Sequence, residues 1–314
     1  MRAVTIVEGE LLWREHPDPV PGPGEVVVAV AAAGLNGADL LQRKGFYPAP
    51  PGSPADVPGL EFAGTVLALG DGAARFPVGA RVMAICGGGG QAEQVVVPES
   101  VLLPVPGSVD LVAAGGFPEA FSTAQDALFT QANLMEGQRV LISGAAGGVG
   151  TAAVQLAAVA GAHVVATVRN TDLHGQVRDL GAHEVVLPDQ IGEYGPYDVS
   201  LELVGAPGVQ AVLPHLAHKA RVVVIGVGAG ARAEINLLAL MGTRATITGS
   251  TLRSRSTEEK AEVAWLVESR AVHLLGSGAV TVPVAATFPM AEAPAAYERF
   301  AAGGKLGKIV LVNG

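Results

Sequence analysis

Residues 140–155, VLISGAAGGVGTAAVQ, carry the chain from an apolar strand through a glycine-rich turn into a small-residue helix. Ala145, Gly147 and Gly150 take the three positions of the G-x-G-x-x-G spacing, with alanine at the first. Small residues there permit a tight turn, close approach of the backbone to an anion, and packing of the helix on the strand. A helix beginning near Gly148 adds unpaired N–H groups and the positive end of its dipole. The pattern predicts a dinucleotide pyrophosphate held by the backbone of Ala145 and of Gly147, Gly148, Val149 and Gly150. Its context agrees: 139–143 reads as a β-branched strand, 151–159 as a helix free of Gly and Pro, and 163–168 as the next strand.

Alternation continues beyond the turn. Strands are expected at 139–143, 163–168, 183–187, 197–203, 221–226 and 245–251, with helices at 148–160, 172–180, 207–216 and 235–241. Six strands with intervening helices make a doubly wound parallel sheet, a Rossmann arrangement, whose ligand crevice lies at the carboxyl ends of the strands. Before residue 117, short apolar runs at 25–30, 64–69, 81–85 and 93–97 are separated by Pro and Gly, which predicts a β-rich domain with tight turns. An amphipathic helix is expected at 258–275, and strand, helix and strand over 280–314.

With 314 residues, 49% hydrophobic and 16% charged, the chain reads as an α/β protein of about two domains. Its net charge of −9 argues against nucleic acid or an anionic membrane surface as partner. A single cysteine, Cys86, excludes an internal disulfide and a multi-cysteine metal cage. Near the N-terminus, Glu8, Glu10, Arg14 and Glu15 stand where a secretory signal is apolar, and no run approaches the roughly 20 apolar residues that span a bilayer. The expected location is the cytoplasm.

Several motifs recur in order: AAAGLNGADLLQRKGFYP (31–48), PGLEFAG (58–64), VGARV (78–82), the AAGGVG turn, and LGKIVL (306–311). Together they resemble the zinc-independent, zeta-crystallin-like quinone oxidoreductases of the medium-chain dehydrogenase/reductase superfamily, over nearly the whole chain. The resemblance implies a GroES-like β-rich domain from both chain ends (1–117 and 265–314), a Rossmann domain between them (118–264), and an active site where the domains meet. Positions matching the catalytic zinc ligands of zinc-dependent relatives hold Asn36, Leu60 and Glu119, a set poorly suited to zinc, which takes about three N, O or S ligands. His215 and His218, three apart on an expected helix, lack a nearby acidic or cysteine partner and read as a solvated face.

Without a metal, hydrogen-bond donors must steady the oxygen on which charge collects as hydride arrives. The resemblance gives catalytic roles to Asn36, Tyr47 and Thr123. Asn36 also fits the N-cap of a short helix over 37–44, with Asp39 three residues on and Gly45 ending it, and the two roles are compatible. Tyr47 fits a loop cover as well as a substrate or nicotinamide contact, and Thr123 fits helix packing as well as a place beside the nicotinamide. Glu61 reads as a structural hydrogen-bonding residue and Cys86 as a small buried one.

The second Rossmann strand ends Thr167-Val168-Arg169-Asn170, with no carboxylate for a ribose 2′-hydroxyl, so Arg169 and Asn170 favour NADPH over NADH. Val204, Gly205, Gly226 and Val227 follow the fourth and fifth strands and should line the nicotinamide half of the crevice. The last Rossmann strand should form a sheet edge, and a homodimer is expected through it. The resulting expectation is a metal-free reductase passing hydride from NADPH to a quinone or related conjugated carbonyl. The alternatives are an enal or enone double-bond reductase, and a nucleotide-binding protein with little turnover.

Overall fold

Short runs rich in valine, isoleucine and leucine, punctuated by Gly and Pro, form the first strands in the computed structural model, which describes residues 1–313. A hairpin of β1 (Arg2–Val7) and β2 (Glu10–Glu15) turns at Glu8 and Gly9, both at positive φ. There follow β3 (Glu25–Gly34), α1 (Gly37–Arg43), β4 (Glu61–Leu69), β5 (Arg81–Ile85), β6 (Gln94–Pro98), β7 (Leu102–Pro104), α2 (Leu111–Gly115) and α3 (Pro118–Gln125). The central stretch alternates: β8 (Arg139–Ile142), α4 (Gly148–Val159), β9 (His163–Thr167), α5 (His174–Asp179), β10 (Glu184–Val186), β11 (Tyr197–Glu202), α6 (Ala206–Val212), β12 (Leu216–Val224), α7 (Leu237–Thr243) and β13 (Thr246–Gly249). The chain closes with α8 (Thr257–Val267), α9 (His273–Ser277), β14 (Val284–Pro289), α10 (Ala293–Ala301) and β15 (Lys308–Val312).

Two units result. The first comprises Met1–Ser122, Leu252–Gly304 and the segment from Lys308 onward. Its seven-stranded sheet runs β14-β15-β3-β4-β5-β7, with β6 also paired to β3. All pairings are antiparallel except β14 with β15, which α10 joins as a parallel crossover. Phe62, Leu35, Val28, Leu102, Ile309 and Tyr297 are among the side chains of its core.

The second unit, Thr123–Thr251 with Lys305–Gly307, holds a six-stranded parallel sheet in the order β10-β9-β8-β11-β12-β13. That order reverses direction between β8 and β11, the switch point at which an open α/β sheet binds ligands. Leu141, Val165, Tyr197, Val209 and Val222 pack in its core. β13 is the sheet edge, as its sequence suggests.

Several boundaries differ from expectation. The units divide after Ser122, inside α3, and after Thr251, rather than at 117 and 264. The second difference has a physical cause: Leu252 and Arg253 are buried, and Arg253 bonds to three segments of the first unit. Helix α6 stops at Val212, short of the expected 216, because Pro214 cannot continue it and a single 3₁₀ turn follows. His215 therefore closes that turn while His218 is exposed on β12, so the two histidines share no helix face. The long helix expected at 258–275 is α8 and α9 joined by a wide π turn over Glu268–Val272.

Candidate functional site

In the second unit, β8 delivers the chain into the glycine turn at the switch point. Ala145 is buried and its N–H donates to Thr167 O at 3.1 Å, while Gly147 N–H donates to Gly144 O at 3.0 Å. Gly147 is the N-cap of α4, and Thr151 N–H returns to Gly147 O at 2.8 Å. The first-turn N–H groups of Gly148, Val149 and Gly150 have no acceptor within the helix, which leaves them for an anion. A Cβ on Gly150 would lie 2.6 Å from both Ala145 Cα and Gly144 O, so only glycine lets helix and turn approach this closely.

One residue of this region went unread in the sequence. Glu202, at the end of β11, is buried, and its Oε1 accepts from Ser143 Oγ (2.8 Å), Val204 N–H (2.5 Å) and Gly205 N–H (2.8 Å). Ser143 Oγ in turn accepts from Leu203 N–H at 2.8 Å. The carboxylate thus ties the ends of β8 and β11 together and shapes the loop carrying Val204 and Gly205, the latter at φ 124°. Gly226 N–H donates to Glu202 O at 3.1 Å, and Val227 is exposed beyond it. Its signal in the sequence is an acid between Leu201 and Leu203 at the end of the strand YDVSLE. Arg169 and Asn170 are exposed after β9, and Asn170 Oδ1 caps the next turn by accepting Asp172 N–H at 3.1 Å.

The first unit gathers its polar residues around Glu61. This buried carboxylate accepts from Asn36 Nδ2 (2.8 Å) and Lys308 Nζ (2.5 Å) on Oε1, and from Glu119 N–H (2.9 Å) on Oε2. Lys308 Nζ also donates to Leu35 O (2.8 Å) and Asn36 Oδ1 (2.7 Å), so its three hydrogens are all engaged. Asn36 Nδ2 reaches Gly34 O at 3.3 Å as well. The Asn36 amide is therefore committed on both ends. Its backbone does cap α1: Asp39 Oδ2 accepts Asn36 N–H at 2.7 Å, the Asn36–Asp39 relation read from the sequence. Leu60 is buried beside this cluster, and Glu119, in the first turn of α3, keeps partial access to solvent. Burial, reinforced by repulsion from Glu61, pushes the Glu119 carboxyl up to about 8, and burial pushes Asp39 to about 7.

Tyr47 is half-buried in the loop after α1, and among the described residues its hydroxyl has no hydrogen-bond partner. The two fully buried tyrosines differ: Tyr197 donates to Ile191 O (2.6 Å) and Tyr297 to Gln91 Oε1 (2.9 Å). An unengaged phenol is a donor open to a ligand. Arg253 Nη1 donates to Tyr47 O at 2.8 Å, and the guanidinium lies 5.1 Å from the Tyr47 ring centroid. Thr123 is buried in α3, within the second unit. Cys86 is buried, with its thiol on Gly59 O at 3.2 Å and pushed by burial up to about 12, as befits a structural residue.

Comparison with known proteins agrees with both halves. Residues 22–107 match the alcohol dehydrogenase GroES-like domain, and 148–268 match the zinc-binding dehydrogenase domain. The quinone oxidoreductase of Mus musculus is 30% identical over 99% of this chain and 98% of its own length. Among solved structures, an alcohol dehydrogenase superfamily protein from Novosphingobium aromaticivorans covers 100% of both chains with TM-score 0.89 and 29% identity. The mycobacterial protein Rv1454c, solved in complex with NADPH, gives TM-score 0.88 and 26% identity over 99% of this chain and 100% of its own. Fold, glycine turn and matches define an oxidoreductase with a GroES-like and a Rossmann unit. The chain belongs to the zeta-crystallin-like quinone oxidoreductase group of the medium-chain dehydrogenase/reductase superfamily.

Proposed function

We propose that the chain is an NADPH-dependent, metal-free reductase of quinones or related conjugated carbonyls. The quinone acceptor follows from the similarity to quinone oxidoreductases, and the observation that carries the metal-free reading is the Lys308 ammonium bound between Asn36 and Glu61, next to Leu60. At positions where zinc-dependent relatives place ligands, Leu60 offers no donor atom and the Asn36 oxygen is already taken by a cation. A second, divalent cation there would meet like charge at hydrogen-bonding distance.

The nucleotide turn fits a dinucleotide: Ala145, Gly147, Gly148, Val149 and Gly150 would hold the pyrophosphate, and Val204, Gly205, Gly226 and Val227 would line the nicotinamide half. Arg169 would pair with the 2′-phosphate, with Asn170 beside it, which favours NADPH. When bound, NADPH supplies a hydride to the acceptor. The open Tyr47 hydroxyl donates a hydrogen bond to the acceptor oxygen, where negative charge collects. Asn36 would act through the buried network it forms with Lys308 and Glu61, and Thr123 would contact the nicotinamide. The exposed edge of β13, with the exposed Leu237, Leu238 and Met241 of α7, suits a two-fold partner and hence a homodimer. Its single cysteine suits the reducing cytoplasm.

The test is titration of the chelator-treated protein with NADPH and NADH, followed by 1,4-benzoquinone, 9,10-phenanthrenequinone and a simple enone while cofactor absorbance is followed. Quinone-dependent oxidation that needs no metal and prefers NADPH is expected. Oxidation by the enone alone favours a double-bond reductase. Tight binding of NADPH without oxidation by any acceptor favours a binding role.

A further inference from the structure

Arg253 is 4% exposed, and its three hydrogen bonds end on neutral oxygens rather than carboxylates. Nε donates to Gly87 O (2.8 Å), Nη1 to Tyr47 O (2.8 Å) and Nη2 to Gln42 Oε1 (2.6 Å). These acceptors come from separate segments: α1, the loop that follows it, and the glycine run after β5. The guanidinium also faces the Tyr47 ring at 5.1 Å, within the range of a cation–π contact. Taking a guanidinium out of water is costly, and neutral acceptors return less of that cost than a carboxylate does. A residue needed only to fill this space would be apolar.

Gly45 N–H and Phe46 N–H return to Gln42 O and Leu41 O of α1, both at 2.9 Å, whereas among the described residues the bond from Arg253 is the one hydrogen bond that Tyr47 makes. Gly45 stands at φ 77°, Phe46 is 78% exposed, and the Tyr47 hydroxyl is unengaged. The guanidinium thus meets Tyr47 twice, at its backbone carbonyl and over its ring. We propose that Arg253 is a positioning residue for the hydride acceptor, holding Tyr47 in the pose from which its phenol meets the acceptor oxygen. This inference rests on the reading that Tyr47 contacts the acceptor. Electrostatics act in the same sense: burial and the nearby Glu119 raise the Tyr47 phenol, while Arg253 opposes them and keeps it the better donor.

Kinetics and a turnover-free measurement test the inference together. In Arg253→Lys and Arg253→Ala, kcat/KM for benzoquinone should fall about 10–100-fold while KM for NADPH stays within about twofold. Guanidinium ion at a non-denaturing concentration should restore part of the activity of Arg253→Ala but not of Arg253→Lys. Tyr47→Phe should lower kcat/KM comparably, and Arg253→Lys combined with Tyr47→Phe should lose no more than Tyr47→Phe alone. If Tyr47→Phe matches the parent, the reading of Tyr47 fails. If Tyr47→Phe is impaired while both Arg253 variants match the parent, the positioning role fails. A parallel rise in both KM values with a lower Tm and no rescue marks a mere structural staple and overturns the proposal. Independently of turnover, ¹³C-tyrosine labelling, with the Tyr47 ring signal assigned by its loss in Tyr47→Phe, should show that signal displaced in Arg253→Lys. An unmoved signal overturns the proposal even if no quinone is reduced.

Discussion

Lys308 and Glu61 form a buried ion pair, with Nζ 2.5 Å from Oε1 and side chains 3% and 0% exposed. Asn36 bridges the two, accepting from the ammonium and donating to the carboxylate, so the pair is closed on all sides by hydrogen bonds. A closed pair of this kind is costly to break from one end, because the remaining charge stays buried.

Lys308→Met should therefore destabilise the protein by about 3–5 kcal/mol, measured by urea unfolding. Adding Glu61→Gln should recover much of that loss by removing the orphaned charge. Equal stability of Lys308→Met and the parent would show that Glu61 is neutralised by another route.

Gly150→Ala should weaken NADPH binding at least about tenfold, followed by quenching of cofactor fluorescence. The added Cβ meets backbone atoms of Ala145 and Gly144, which cannot swing away as a side chain could. Movement of that turn would disorder the first-turn N–H groups that are proposed to hold the pyrophosphate.

Stability should fall as pH rises between about 5 and 8. Folded Glu119 titrates near 8 against an ordinary 4.5, and Asp39 near 7 against 3.8, so the folded state holds protons that the unfolded chain has released. That contribution is complete at low pH and is lost as pH climbs through the folded values. Glu119→Gln should flatten the slope and exceed the parent at pH 8 by on the order of 1–3 kcal/mol, with the difference closing at pH 5. Thermal unfolding across that range reads it.

Arg169→Asp should reverse the cofactor preference, lowering kcat/KM for NADPH by about tenfold or more while that for NADH changes little. An unchanged ratio would remove Arg169 from 2′-phosphate recognition.

What the sequence discloses is local. The glycine turn, the alternation of strand and helix, and the Asn36–Asp39 cap are all written within a few residues of one another. Lys308, Arg253 and Glu202 are not legible as site residues because the partners that place them lie far along the chain: Leu35 is 273 residues from Lys308, Gln42 is 211 from Arg253, and Ser143, which Glu202 holds besides its near neighbours Val204 and Gly205, is 59 from Glu202. Lys308 and Glu202 are charges set in apolar runs, a signal that a polar partner is needed without showing which, while Arg253 lies in the polar stretch TLRSRS and carries no such signal. Asn36 was placed correctly on its helix, but its side chain turns inward to a lysine at the other end of the chain.

The pairing of β15 with β3 has a consequence for how the protein is made. Asn313 Nδ2 reaches Val30 O across 283 residues, so β3 waits for β15 while the whole intervening chain is made. The inserted Rossmann unit, whose strands pair among themselves, can close first. Until then only the end of β3, Ala32–Gly34, lacks its partner, since β4 and β6 pair the rest of the strand, so the last closure of the first unit's sheet is a long-range step and the slower one.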